Sequence, residues 1–68
     1  MQIDRLFEIV YLLLERETLT ARELAARFEV STRTIYRDVE SLSAAGIPIY
    51  MSRGQGGGIR LMPEFVLD

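Results

Sequence analysis

Apolar residues near the start of the chain recur with the spacing of an amphipathic helix. They fall at Ile3, Leu6, Phe7, Val10, Leu13 and Leu14. This i, i+3, i+4, i+7 pattern predicts a helix over residues 4–17, with Asp4 as its N-cap and Arg16 near its C-terminal end. Three further apolar residues, Ile9, Tyr11 and Leu12, widen the apolar surface. We expect packing against the strands predicted below; the alternative is a contact with a dimer partner or a neighbouring domain.

The next segment predicts a shorter helix. Thr20 and Glu23 have the spacing of a capping box, in which each side chain accepts an otherwise unpaired backbone N–H. Leu24, Ala25 and Phe28 then supply a buried face that ends at about residue 28. Residues 18–20 have strand-type side chains but are long enough only for a connecting stub.

A third helix is predicted over residues 31–45, after a tight turn at residues 28–31. Ser31 is a good N-cap, and Val30 before it can anchor the entering chain. Ile35, Val39 and Leu42 stand at i, i+4 and i+7 and should face the core.

The opposite side of this helix follows from a rotation of roughly 100° per residue. Counted from the core stripe, that side carries Arg33, Arg37, Glu40 and Ala44. Two arginines therefore share one exposed face.

The end of the chain predicts a β-hairpin. Gly46 is a helix stop of the left-handed type, and Pro48 prevents continuation. Apolar and polar residues alternate over residues 47–53 and again over 59–62, on either side of the glycine-rich segment 54–58. The wing is thus expected over residues 47–62.

Three helices followed by a two-stranded hairpin define the fold class: mainly α with a small β-hairpin, in the order of a winged helix-turn-helix. This domain occupies residues 1–62. Residues 63–68 contain the apolar run Phe65, Val66 and Leu67, with no element left to pack within. We interpret them as the start of a linker to a C-terminal sensor or oligomerisation domain.

Composition narrows the functional classes. The 68 residues are 49% hydrophobic and 26% charged, which is typical of a small globular domain. The chain has no cysteine, histidine or lysine, so the commonest general bases, Schiff-base chemistry and the usual zinc ligands are missing. We expect no enzyme activity, no metal and no cofactor.

The longest apolar run, residues 9–14, is too short to span a membrane, and a cytoplasmic protein is expected.

Charge is distributed unevenly, although the net charge is -2. Residues 1–30 carry four arginines and six acids, whereas residues 31–62 carry four arginines and two acids. This asymmetry suits a domain with one weakly basic face.

The third helix carries the candidate DNA-reading residues. Arg33 and Arg37 can each make two hydrogen bonds to guanine, although a solvated surface pair is the alternative. Ser31, Thr32 and Thr34 lie where a helix N-terminus favours phosphate, besides any capping role.

Two other positions complete or support this site. Tyr36 lies at the edge of the buried stripe, where its ring can pack and its hydroxyl can reach a phosphate; packing alone is the alternative. Asp38 is expensive to bury unpaired, so we expect a structural partner on the first or second helix, with Arg22 and Arg5 as candidates.

The hairpin tip offers a second set of contacts. Arg53 and Arg60 flank the glycines and could neutralise phosphates, while Gln55 at the apex could bond a phosphate or a minor-groove edge. The alternative is a solvated turn. A nucleotide-binding glycine loop is disfavoured because no helix follows the glycines.

Four segments together carry a family resemblance. They are Arg-Glu-Leu-Ala-Ala-Arg-Phe (22–28), Val-Ser-Thr-Arg-Thr-Ile-Tyr-Arg-Asp-Val-Glu-Ser-Leu (30–42), Ala-Gly-Ile-Pro-Ile (45–49) and Gly-Gly-Gly-Ile-Arg-Leu (56–61). They resemble the N-terminal winged helix-turn-helix of bacterial DeoR-type regulators, most closely the WYL-domain group, and are similar also to the biotin repressor's N-terminal domain. One departure is Ile59, where the family commonly has an aromatic residue.

The resemblance implies a transcription factor. We therefore expect sequence-specific binding to double-stranded DNA, with helix 31–45 in the major groove and wing 47–62 on the flanking backbone. The full regulator is expected to be a homodimer or higher oligomer. The alternative is a winged-helix module for protein–protein interaction or dimerisation, which would use the apolar surplus of the first helix.

Overall fold

The structure is a computed structural model that describes residues 2–16, 18–52 and 58–62. Three helices occur in chain order, α1 (Gln2–Glu15), α2 (Ala21–Phe28) and α3 (Thr32–Ala44). The strands are β1 (Leu19–Thr20), β2 (Ile49–Met51) and β3 (Gly58–Leu61). The predicted order of three helices and a hairpin is confirmed, and the described part of the chain forms a winged helix-turn-helix.

The sheet contains one strand more than predicted. The expected hairpin is present, with β2 antiparallel to β3 and Ile49 opposite Leu61. However, β1 also pairs antiparallel with β3, Leu19 lying opposite Ile59, so the strand order is β1-β3-β2. The interpretation of residues 18–20 as a mere connector was wrong, because their partner lies about forty residues away and local sequence gives no sign of it.

Helix α1 begins earlier than expected and buries a different face. It starts at Gln2, so Asp4 lies inside the first turn and the prediction that it is the N-cap was wrong. Ile9 is fully buried and Leu13 nearly so, whereas Phe7 is 72% exposed and Leu14 is also exposed. The helix carries two overlapping apolar stripes, and the core selected the one through Ile9 rather than the one through Phe7.

The two helices of the helix-turn-helix unit begin and end as predicted. The Thr20 amide donates to Glu23 Oε1 over 2.8 Å, and the Glu23 amide donates to Thr20 Oγ1 over 3.0 Å, which confirms the capping box. Glu29 ends α2 with a φ of 58°, in the left-handed region. Val30 is half-buried and packs on the core beside the start of α3.

Helix α3 ends in a Schellman motif, the paired hydrogen-bond arrangement that closes many helices. The Gly46 amide donates to the Ser43 carbonyl, and the Ile47 amide donates to the Leu42 carbonyl, each over 3.0 Å. Gly46 has a φ of 97°, which an L side chain rarely adopts. The predicted stop at Gly46 is confirmed, and it directs the chain into the hairpin.

One core joins all the elements. Its fully or nearly buried members come from every helix and strand: Ile9, Leu13, Leu19, Ala21, Leu24, Ala25, Ile35, Val39, Leu42, Ile49, Ile59 and Leu61. Of the predicted inward residues, Leu24 and Ala25 of α2 and all three of α3 are among them, whereas Phe28 is only half-buried and packs at the edge of the core. Met51, which the predicted alternation over residues 47–53 puts on the same face as Ile49, is instead exposed.

Candidate nucleic-acid interface

The N-terminus of α3 presents hydroxyl groups to solvent. The Thr34 amide donates to Ser31 Oγ over 3.2 Å, so Ser31 is the predicted N-cap. The two hydroxyl oxygens of Ser31 and Thr34 are also 3.2 Å apart. Thr32 beside them is exposed. This first turn therefore combines hydroxyls with backbone N–H groups at the positive end of the helix dipole, an arrangement suited to an anion.

The two arginines of α3 lie on its exposed side. Arg33 and Arg37 are both exposed, opposite the buried side chains of Ile35 and Val39. Within residues 2–16, 18–52 and 58–62, the ion pairs within 4.0 Å do not involve either guanidinium. No described residue occupies their hydrogen-bond donors, which face solvent on that side of the helix. Tyr36, next to them, has an exposed ring. It is less tightly packed than was predicted from its place at the edge of the buried stripe of α3.

Asp38 is the buried charge of the described core, and its partner is Arg5. The Asp38 side chain is 1% exposed and that of Arg5 is 21% exposed. Arg5 Nε donates to Asp38 Oδ2 over 2.5 Å, and Nη2 donates to Oδ1 over 3.2 Å. Of the two candidates named from sequence, the structure therefore selects Arg5 rather than Arg22.

This ion pair is a two-bond fork between α1 and α3. The hydrogen bond to Asp38 raises the pKa of the Arg5 guanidinium above its ordinary value. Charge-assisted, bidentate bonds of this kind fix orientation as well as adding energy. The contact therefore sets how α1 lies against the helix that carries the candidate reading residues.

A surface groove of about 500 Å³ lies beside the ion pair. Its walls include Arg5 and Asp38 together with Thr34, Arg37 and Ser41 of α3. The buried carboxylate and the exposed Arg37 guanidinium thus border the same space. Arg37 and Asp38 are consecutive in sequence, whereas Arg5 reaches the groove only because α1 packs against α3.

On the wing, the structure describes one of the three predicted residues. Arg60 is half-buried on β3, and its guanidinium carbon lies 5.8 Å from the centre of the Tyr50 ring, within cation–π range. Tyr50 is directly opposite it on β2. Arg60 Nε is buried and has no hydrogen-bond acceptor in the described part of the chain. Arg53 and Gln55 lie outside the described residues.

Sequence reasoning assigned two surface features only in part. Tyr50 was assigned only to a strand, and the signal that could have identified it is the register of the hairpin, which pairs it with Arg60. The exposed apolar stripe of α1, through Phe7, Tyr11 and Leu14, was partly assigned to the core. Its signal is the second i, i+4, i+7 series in that helix.

In the described part of the chain, no three His, Cys, Asp or Glu side chains come together as metal ligands would. No helix described there is long and apolar enough to cross a membrane.

The helix-turn-helix, its exposed arginines and the paired strands behind it define a winged helix-turn-helix domain. Comparison with known families agrees: the chain belongs to the HTH_11 family of HTH domains, which it matches over residues 5–60.

Among curated proteins, the chain is similar to the "Uncharacterized HTH-type transcriptional regulator YobV" of Bacillus subtilis (strain 168). The two are 50% identical over 68 residues, which is 100% of this chain and 22% of the relative. The chain thus spans less than a quarter of the length of that regulator. No solved structure matches it.

Proposed function

We propose that this chain is a sequence-specific, double-stranded-DNA-binding domain of a bacterial transcriptional regulator, with α3 inserted in the major groove. The observation that carries the proposal is the exposure of Arg33 and Arg37 on the side of α3 opposite the core, where neither forms an ion pair with a described residue. A guanidinium can bond guanine O6 and N7 together, which is worth about 1–3 kcal/mol of discrimination. Membership of the HTH domain family and likeness to a protein named as a transcriptional regulator support it.

In this proposal, the remaining predicted residues hold the domain on the sugar–phosphate backbone. Ser31, Thr32, Thr34 and Tyr36 fix the start of α3, where the hydroxyl groups and free N–H groups lie. Arg60 of β3, with Arg53 and Gln55 of the hairpin tip, contacts the flanking phosphates. Such contacts position a protein on the duplex, and base contacts give the sequence preference.

The finer assignments follow from the resemblance to DeoR-type and WYL-domain regulators. We propose that the regulator is cytoplasmic and acts as a homodimer or higher oligomer on paired half-sites, as symmetric operators require. A single isolated domain should then bind weakly and with a steep dependence on salt.

The proposal is tested by selecting duplexes from a random library with the purified domain and titrating the enriched duplex at two salt concentrations. We expect tighter binding at low salt and a preference over a scrambled duplex of equal composition. Arg37→Met should weaken binding and reduce the preference, while Arg16→Met, just after the C-terminal end of α1, is the matched control. Equal affinity for enriched and scrambled duplexes would exclude sequence-specific recognition.

A second candidate function, protein–protein interaction, is favoured by the apolar stripe of α1. Phe7 is 72% exposed and Tyr11 is 61% exposed, with Leu14 one turn further on the same side. Large exposed apolar residues grouped on one face are typical of contact surfaces. Molar mass measured over a range of concentrations tests self-association: a rise that Phe7→Ser abolishes supports it, and a constant monomer mass counts against it.

A further inference from the structure

We propose that Arg5, although it lies on α1, is a positioning residue for DNA recognition by α3. It occupies the Asp38 carboxylate and so leaves the Arg37 guanidinium available to the duplex. This inference rests on the proposed function and assigns a role to a residue outside the helix-turn-helix unit.

The Asp38 carboxylate is fully occupied by Arg5. Both Asp38 oxygens accept hydrogen bonds from Arg5, and the side chain is 1% exposed. Arg5 is partly exposed and borders the same groove as Arg37. Removing the Arg5 side chain would therefore open the carboxylate to that groove.

Loss of Arg5 would leave the charge of Asp38 without a partner. An uncompensated Asp38 would be an anion next to the helix face that must approach phosphates, and it would compete with DNA for the adjacent Arg37. Glu40, which also borders the groove, adds to the repulsion. Both effects depend on the charge of Asp38, so both should disappear if that charge is removed.

The Arg5–Asp38 pair has a role other than stability. A buried ion pair contributes little net stability compared with apolar residues of similar volume. Its contribution here is a fixed orientation of α1 against α3 and a neutral wall beside Arg37. The proposed DNA-contacting residues are thus positioned by the pair Arg5 and Asp38, which are 33 positions apart in sequence.

The experiment measures the affinity of Arg5→Met, Asp38→Asn and the double variant for the enriched duplex. Binding is measured at low salt and low temperature, with the folded fraction of each variant determined by circular dichroism, so that a loss of stability is not read as a loss of affinity. Arg5→Met should weaken binding roughly 3- to 10-fold, the effect of one unscreened carboxylate near a phosphate. Asp38→Asn in the same chain should restore wild-type affinity to within about twofold.

A second comparison tests the competition for Arg37 directly. In the Arg5→Met background, Arg37→Met should cost less affinity than it does in the wild type, because Arg37 is already engaged by Asp38. Arg16→Met is the control for loss of an arginine from the α1 region. If Arg5→Met does not fold, Arg5→Gln, which retains an amide NH2 as donor and removes the charge, replaces it.

The possible outcomes separate this inference from the proposed function. Wild-type affinity in folded Arg5→Met, or failure of Asp38→Asn to restore binding, overturns the role of Arg5 while Arg37→Met still weakens binding. If the wild type shows no preference for the enriched duplex, or Arg37→Met has no effect, the proposed function itself fails.

Discussion

Gly58 of β3 lies so close to Thr18 that a Cβ atom added to the glycine would be 2.7 Å from Thr18 Cγ2. Gly58 is buried, and it pairs with Thr20 at the end of β1. The missing side chain therefore lets the wing strand approach the segment that leads into the helix-turn-helix.

Adding a methyl group at this position should loosen the sheet. Gly58→Ala is expected to destabilise the domain by about 1–3 kcal/mol, because Thr18 or the strand must shift. Urea unfolding measures the loss. Thr18→Ser removes the Cγ2 atom, so Gly58→Ala should cost clearly less in a Thr18→Ser chain; an equal cost in both chains would show that the close contact is not its cause.

The two faces of α1 should respond differently to truncation. Ile9→Ala is expected to cost about 2–5 kcal/mol, because it leaves a cavity in the core. Phe7→Ala should change stability by no more than about 0.5 kcal/mol, because its ring is mostly in water. Thermal or urea unfolding of the two variants gives the comparison, and a larger cost for Phe7→Ala would mean that the other stripe is the buried one.

Glu29 holds a backbone conformation that favours glycine. Its φ is 58°, and an L side chain in the left-handed region costs roughly 1–2 kcal/mol. Glu29→Gly relieves this strain but gives a more flexible unfolded chain, so we expect a net gain of no more than about 1 kcal/mol. Glu29→Val, with a branched side chain, should be destabilising. Denaturation midpoints measure both, and a gain for valine would contradict the assigned turn.

The two N-caps allow stability to be separated from recognition. Thr20→Ala and Ser31→Ala each remove a side-chain acceptor from a helix start and should each cost about 1 kcal/mol of stability. In the proposed function, only Ser31 also contacts the DNA backbone. Ser31→Ala should therefore weaken duplex binding by folded protein, whereas Thr20→Ala should leave it unchanged. Equal affinities for the two variants would assign Ser31 to capping alone.

Much of the candidate site was predictable because the interactions that form it are local. The Ser31 cap bonds a residue three positions away, and the Gly46 stop closes on the helix just before it. Once the ends and the buried stripe of α3 are set, helical geometry places Arg33 and Arg37 outward. The cap and the outward placement were both derived from spacing, and the structure confirms both.

Other parts could not be predicted because they depend on distant partners. The Tyr50–Arg60 contact requires the hairpin register. The choice between Arg5 and Arg22 as the partner of Asp38 requires the position of α1. The pairing of β1 with β3 joins segments on opposite sides of the helix-turn-helix unit.

The sequence by itself determined the order of the three helices and the hairpin, the caps of α2 and α3 and the arginine-bearing face of α3, because each follows from residues within one or two helical turns. Only the tertiary structure decided that α1 buries Ile9 instead of Phe7, and that Arg5 reaches Asp38. Two apolar stripes of similar character run along α1, and local preferences do not distinguish them. The stripe through Ile9 is the one that packs into the shared core. The same orientation of α1 brings Arg5 to Asp38, whose carboxylate could not be buried without a partner.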